Sequence, residues 1–356
     1  MSEEKSQTIG LPKLSNSMIW MINFGFLGVQ TAFTLQSSQM SRIFQTIGAD
    51  PNNLGWFFIL PPLAGLIVQP IIGYYSDRTW APKLGGRRLP YLLLGTIVAV
   101  IVMLLLPNSG SFGFGHGSLA ALWFGAITVA FLDLSSNVAM QPFKMMVGDM
   151  VNDDQKSYAY GVQSFLSNTG AVLAAIFPFL LTWFGVPNKA AKGVVPQSVI
   201  ISFYVGAALL VITSLFTVFR VHEYDPATYA KYHGISEEDN KEGGNWLTLL
   251  RHAPKAFWTV TLVQFFCWFA FQYLWTYSAG AIASNVWHTT NATSACYQAA
   301  GNWYGVLAAV QSIAAVIWSY VLAKVPNKYH KLGYAGSLFL GAIGFYRSSS
   351  SMTNGR

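Results

Sequence analysis

Charge is what this sequence has least of. Only 10% of its 356 residues are Asp, Glu, Lys or Arg, against 53% hydrophobic, where soluble domains carry about 25% charged residues. That shortage excludes an ordinary water-soluble fold. Cysteine is nearly absent too: Cys267 falls in an apolar run and Cys296 in a loop, so neither a disulfide framework nor a cysteine metal site is present. No His-Glu-x-x-His or Gly-x-Ser-x-Gly pattern occurs, and the six histidines all lie outside the apolar runs. A metal hydrolase or serine hydrolase therefore has no machinery here. The chain is expected not to be an enzyme and to need no cofactor or metal.

What is present is a series of long apolar runs: Met18 to Gln39, Leu54 to Tyr75, Leu89 to Leu106, Leu119 to Met140, Gly161 to Phe184, Ser198 to Phe219, Ala256 to Ala283, Trp303 to Ala323 and Leu332 to Tyr346. Each is long enough, or nearly so, to cross about 30 Å of hydrocarbon. Backbone groups in lipid must be satisfied internally, so the runs predict helices and an all-α integral membrane fold with membrane lipid as its solvent. Lys5 and Lys13 precede the first run with no small-residue cleavage site after it, which predicts a retained span and not a signal peptide.

The basic residues give the orientation. Counting alternate loops puts sixteen of the 21 on one side, with Arg42, Lys189 and Lys192 opposite and Arg347 and Arg356 in the tail. The positive-inside rule then predicts a multi-pass cell-membrane protein with a cytoplasmic amino terminus. The same alternation accounts for the net charge of +7 without nucleic acid.

A polar stretch from Arg220 to Lys255, with the breaker Glu242-Gly243-Gly244-Asn245, divides the runs. We expect a six-helix bundle over 1–219, a cytoplasmic central loop over 220–255 and an incomplete bundle of three helices and a polar tail over 256–356. The basic turn SDRTWAPKLGGRRLPYLLLG in the first part resembles AKVPNKYHKLGYAGSLFLG in the second. Repeated halves around a midplane site suit transporters. After Phe345 the chain turns polar, YRSSSSMTNGR, and the expectation is a truncated or frame-shifted product; a natural nine-span protein is the plainer alternative.

Asp133 is the one acid inside the apolar runs. An ionised side chain near the bilayer centre costs at least about 2.5–3.5 kcal/mol on insertion scales, so a lone acid there is a functional candidate, with a helix-to-helix hydrogen bond as its structural alternative. Lys144 lies eleven residues further on. That spacing returns to within roughly 20° of the same helix face, about 16 Å along the axis. Lys144 could equally be an interfacial anchor.

Three stretches resemble a known family. Gly28 to Arg78, containing QPIIGYYSDR, then GGRRLP (Gly85 to Pro90) and LDLSSNVAMQPFKMMVGDM (Leu132 to Met150) are similar to the disaccharide:cation symporters of the major facilitator superfamily. That group includes plant sucrose:proton symporters and bacterial maltose, sucrose and glycoside permeases. The resemblance implies a major facilitator helical bundle of twelve spans, of which about nine are present. It implies proton-coupled import of a disaccharide, maltose-like or sucrose-like, by alternating access. A sodium-coupled glycoside permease, or a truncated product that only senses sugar or is inactive, is the alternative reading.

By resemblance, Asp133 falls on the family's proton-coupling acid, and Asn137 and Pro142 match their positions. Lys144 stands where plant members have arginine, which keeps the charge but loses the planar fork that grips two hydroxyls. Ser278, Gly280 and Asn285 replace acidic residues of the plant span seven. For sugar contacts, the resemblance points to Lys144 and Asn137, and the mix of amides and aromatic faces in small-molecule sites points to Gln30, Gln36, Gln39, Gln264, Gln272, Trp268 and Trp275, the span-one glutamines serving alternatively in helix packing. Asp77 with Arg78, Arg87 and Arg88 is expected to form a gating charge cluster at the cytoplasmic mouth, or else a plain topology signal.

Overall fold

The structure is a computed structural model that describes residues 10–50, 55, 60–191, 193–234, 251–323 and 329–353. Its helices are α1 (Asn16–Ile47), α2 (Leu60–Arg78), α3 (Leu89–Leu105), α4 (Leu119–Met150), α5 (Asp153–Trp183), α6 (Gln197–Arg220), a short α7 (Pro226–His233), α8 (Lys255–Val286), α9 (Ala295–Ala323) and α10 (His330–Thr353). Among the described residues there is no named strand. Seven of the helices, α1, α3, α4, α5, α6, α8 and α9, are long and apolar enough to cross a membrane. Helices α2 and α10 form where the second and ninth spans are expected, but neither carries an equally long apolar stretch among the described residues.

Helix starts follow local chemistry. The Ser15 hydroxyl accepts from the Met18 amide ahead of α1, Ser118 does the same for Ala121 ahead of α4, and the Asn152 side chain accepts from Asp154 ahead of α5. Each satisfies an amide that the first turn leaves orphaned. Helix α3 has no such local cap. Glu223, beyond α6, supplies it from 134 residues away: its Oε1 accepts from the amides of Arg88 at 2.8 Å and Leu89 at 3.1 Å.

Three boundaries depart from the sequence reading. Helix α1 runs past Gln39 to Ile47 and takes in Arg42, which the sequence placed in a loop. A charge can stay in the helix because amide oxygens satisfy its donors, as described below. Helix α9 begins at Ala295, so Cys296 lies in its first turn and not in a loop. The polar segment after Phe345 continues as helix to Thr353, since backbone hydrogen bonding does not depend on an apolar side chain and serine is an ordinary helix residue. Residues 54 and 56–59 of the expected second span, and the Glu242 to Asn245 breaker, lie outside the described residues.

Helix α1 packs on α4, α5 and α6, while α2 packs on α4. Ile19, Ile22, Ile43, Phe44, Phe143 and Phe203 are fully buried in this core. Glycine permits the closest approaches. A Cβ on Gly28 would meet the backbone of Leu210 on α6, and one on Gly305 would meet the carbonyl of Ala175, so α9 is drawn onto α5 by the absence of a side chain. A second small core of Ala283, Tyr297 and Ala300 joins α8 to α9.

Candidate functional site

Asp133 sits in α4 with 7% of its surface exposed. Gln36 of α1 donates its amide to Oδ1 at 3.3 Å, and Asn137, one turn along α4, donates to Oδ2 at 3.0 Å. Gln69 of α2 in turn donates to Asn137 Oδ1 at 2.8 Å. No lysine or arginine among the described residues pairs with the carboxylate. The acid is therefore held by neutral amides alone. Gln36 has a second property: its Oε1 is buried and has no hydrogen-bond partner among the described residues. Rotating the amide by half a turn would present that acceptor to a protonated carboxyl, so one glutamine suits both protonation states.

These side chains line a cavity of about 320 Å³, whose other walls include Trp268, Gln272 and Trp275 of α8. Gly65 of α2 faces the acid; a Cβ there would sit 3.5 Å from Asp133 Oδ2. A second cavity of about 210 Å³ adjoins the first and shares Phe33, Ser37 and Trp275 with it. Gln30 and Thr34 of α1, Asn168 of α5, and Tyr304, Gln311 and Ser312 of α9 also line it.

The structure thus brings Asp133, Asn137, Gln36, Gln272, Trp268 and Trp275 together around one space, with Gln30 next door. Three expected contacts lie elsewhere. Gln264 is exposed on α8 and lines neither cavity. Lys144 is exposed on α4, lines neither cavity and makes no hydrogen bond or ion pair among the described residues. Gln39 is fully buried and gives its Oε1 to Arg42 at 3.3 Å.

Arg42 is the largest fully buried side chain among the described residues. Its guanidinium donates to Gln298 at 2.5 Å, Asn302 at 2.8 Å and Asn188 at 2.7 Å as well as to Gln39. The contacts tie α1, the turn after α5 and the start of α9 into one knot near the Ile47 end of α1. All four acceptors are amide oxygens.

A contrasting cluster lies at the other end of the bundle. Asp149, near the end of α4, accepts from Arg87 at 3.0 Å and from Arg88 at 3.1 Å. Arg88 also pairs with Asp77 at 2.5 Å and donates to the Ser76 hydroxyl at 2.5 Å. The Arg87 guanidinium lies 3.6 Å from the ring centre of Tyr229, whose hydroxyl donates to Asp149 at 3.3 Å. The expected partnership of Asp77 therefore resolves in favour of Arg88. Arg78 instead lies over the Tyr74 ring at 3.7 Å and donates to the Tyr74 carbonyl. Burial pushes the Glu223 carboxyl above its ordinary value, while the two α3 amides and the neighbouring Arg87 and Arg88 oppose that rise.

Sequence reasoning missed Asp149, Glu223 and Tyr229, because acids and tyrosines beyond the ends of apolar runs carry no signal of their own. It missed Asn168, Gln311 and Tyr304 because isolated polar groups in a span read as packing contacts. The available clue was that Asn168 and Gln311 place amides inside otherwise apolar runs.

The family model described as MFS/sugar transport protein matches residues 21–353. The sucrose transport protein SUC4 of Arabidopsis thaliana is 24% identical over 269 residues, covering 72% of this chain and 52% of that protein. SUC3, a sucrose transport protein of the same plant, is 22% identical over 329 residues, covering 73% of this chain and 55% of its own length. The sucrose transport protein SUT5 of Oryza sativa is 31% identical over 135 residues, 35% of this chain and 25% of that protein. The chain spans about half the length of the Arabidopsis proteins.

Proposed function

The chain belongs to the MFS/sugar transport protein family, and we propose that it carries a disaccharide, sucrose-like or maltose-like, across the cell membrane together with a proton. The observation that carries this reading is Asp133: a buried carboxylate on the wall of a cavity, held by two amides and, among the described residues, no cation, beside the faces of Trp268 and Trp275. Relatives named as sucrose transport proteins support the choice of sugar.

The steps follow from the residues. Ionised Asp133 needs water or donors around it, which favours a state in which its cavity is open. Protonation removes that cost and frees the Gln36 and Asn137 amides to turn toward sugar hydroxyls. Sugar packing against Trp268 and Trp275 then completes a neutral, occupied site that can cross to the other open state. Coupling arises because neither proton nor sugar alone leaves all the buried polar groups satisfied. A proton suits this site better than sodium, since a hard cation takes about six oxygen ligands, whereas Asp133 offers one carboxylate surrounded by amide donors.

The two polar clusters supply the gates. Arg42 and its amides close one end between α1 and α9. Asp77, Arg87, Arg88 and Asp149 hold the other end, on the side that the basic loops assign to the cytoplasm. The half formed by residues 1–219 moves against residues 256–356, with 220–255 as the connector. Uptake of labelled sucrose and maltose into cells expressing the chain tests the function. Accumulation that a protonophore abolishes is the expected result; accumulation that persists with the protonophore and follows a sodium gradient would reject proton coupling.

A further inference from the structure

Resting on the proton-coupling reading, we propose that Gln69 of α2 is a positioning residue for proton release: it fixes the Asn137 amide as a donor to Asp133 and acts on the acid only through that amide.

Two helices with matching spacing build the contact. Gly65 and Gln69 stand four residues apart on α2, and Asp133 and Asn137 four residues apart on α4, so each pair lies on one helix face. Gly65 sets the distance between the helices. A Cβ there would come within 3.5 Å of Asp133 Oδ2 and 3.3 Å of Asn137 Nδ2, so the absence of a side chain lets α2 approach α4 at the level of the acid. One turn further along, Gln69 reaches Asn137 and donates from Nε2 to Oδ1 at 2.8 Å.

A side-chain amide carries one oxygen and one nitrogen, so fixing one end fixes the other. With Oδ1 taken by Gln69, Asn137 turns Nδ2 toward Asp133, where it donates to Oδ2 at 3.0 Å and to the Asp133 main-chain carbonyl at 2.9 Å. Gln36, the other amide on the acid, is held differently. Its Oε1 has no hydrogen-bond partner among the described residues, so it can turn when the carboxyl takes up a proton. One amide adapts to the protonated acid and the other stays set for the ionised one. A hydrogen bond to an ionised acceptor is roughly twice as strong as one between neutral groups, so a locked donor gains most when the proton leaves.

No second acid or base shares this space. The residues of α1, α2 and α8 that line the Asp133 cavity include no Asp, Glu, Lys, Arg, His, Cys or Tyr. On α4 itself the nearest charged side chains are Lys144 and Asp149, and neither lines the cavity. The pH dependence of the site is therefore that of Asp133 and the amides that face it.

Initial rates of sugar uptake against external pH, in cells expressing the full chain, provide the test, with sugar counterflow in vesicles as the check that each variant is folded. Gln69→Met and Gln69→Leu keep an apolar side chain of similar bulk and remove the donor. Each should allow Asn137 to turn its oxygen to a protonated Asp133, so half-maximal uptake should need a proton concentration at least about threefold lower than in the wild type, with counterflow retained. In an Asn137→Ala chain, adding Gln69→Met should move that midpoint no further. A midpoint that stays at the wild-type value while the rate falls at every pH overturns the proposal and leaves proton coupling intact. So does a Gln69→Met shift that survives in the Asn137→Ala chain, or loss of counterflow in both donor-less variants, which would give Gln69 a purely structural role. Wild-type uptake that does not depend on pH overturns both readings.

Discussion

Gln36 on α1 donates its side-chain amide to Asp133 on α4 across 3.3 Å, and its own side-chain carbonyl oxygen stays buried without a partner among the described residues. The contact joins the central helix of the core to the acid to which we assign proton coupling. A hydrogen bond to a charged group contributes about 1.5–3 kcal/mol. Gln36→Leu should therefore lower proton-driven sugar uptake by about tenfold or more, at unchanged surface expression. Gln36→Glu, which adds a second acid against Asp133, should be worse than Gln36→Leu. Uptake rates of the two variants at saturating sugar decide the order.

Asp77 pairs with Arg88 at the basic end, and Arg78 takes no part in that pair. Exchanging the charges, Asp77→Arg with Arg88→Asp, should recover part of the uptake lost in either single variant. The adjacent exchange, Asp77→Arg with Arg78→Asp, should recover none. Rescue by the second exchange and not the first would contradict the pairing.

Arg42 donates to four amide oxygens and, among the described residues, to no carboxylate. Arg42→Met keeps much of the volume but leaves buried acceptors unpaired, at about 1–3 kcal/mol each. Closure between the turn after α5 and the start of α9 should weaken by at least about tenfold. Spin labels at Lys189 and Asn291, on a chain with Cys267→Ser and Cys296→Ser, should show a longer distance population in the variant. An unchanged distance distribution would remove Arg42 from the gate.

Glu223 gives a pH-dependent prediction outside the membrane spans. Burial raises its folded-state value above the ordinary 4.5, so the folded protein holds the proton more tightly than the unfolded chain does. Its contribution to stability is complete below the unfolded value and is lost as pH rises through the folded one. Glu223→Gln keeps an oxygen to cap the Arg88 and Leu89 amides and removes the ionisation. The variant should match the wild type near pH 4 and melt at a higher temperature as pH approaches 7. Equal melting temperatures across that range would contradict the burial account.

The apolar runs made the helices legible because lipid leaves a span few other choices, and Asp133 stood out because an acid inside such a run is costly. Arg42 was misplaced for the complementary reason. A charge looks like a loop until the amides that cage it are seen, and Asn188, Gln298 and Asn302 lie far away in sequence. Asp149 and Glu223 were hidden similarly, since their partners Arg87 and Arg88 are reached only through the fold. Lys144 shares a helix with Asp133, yet shared periodicity did not bring it into the cavity. Spacing along a helix fixes direction but not which neighbouring helices close around it.

The most direct test of the coupling claim compares two transport modes in Asp133→Asn. Asparagine keeps an uncharged, hydrogen-bonding group at the acid's place but cannot release a proton. The account predicts that vesicles carrying this variant still exchange labelled sugar in counterflow, while uphill accumulation driven by an inward proton gradient is lost. Accumulation at the wild-type level by Asp133→Asn would contradict it.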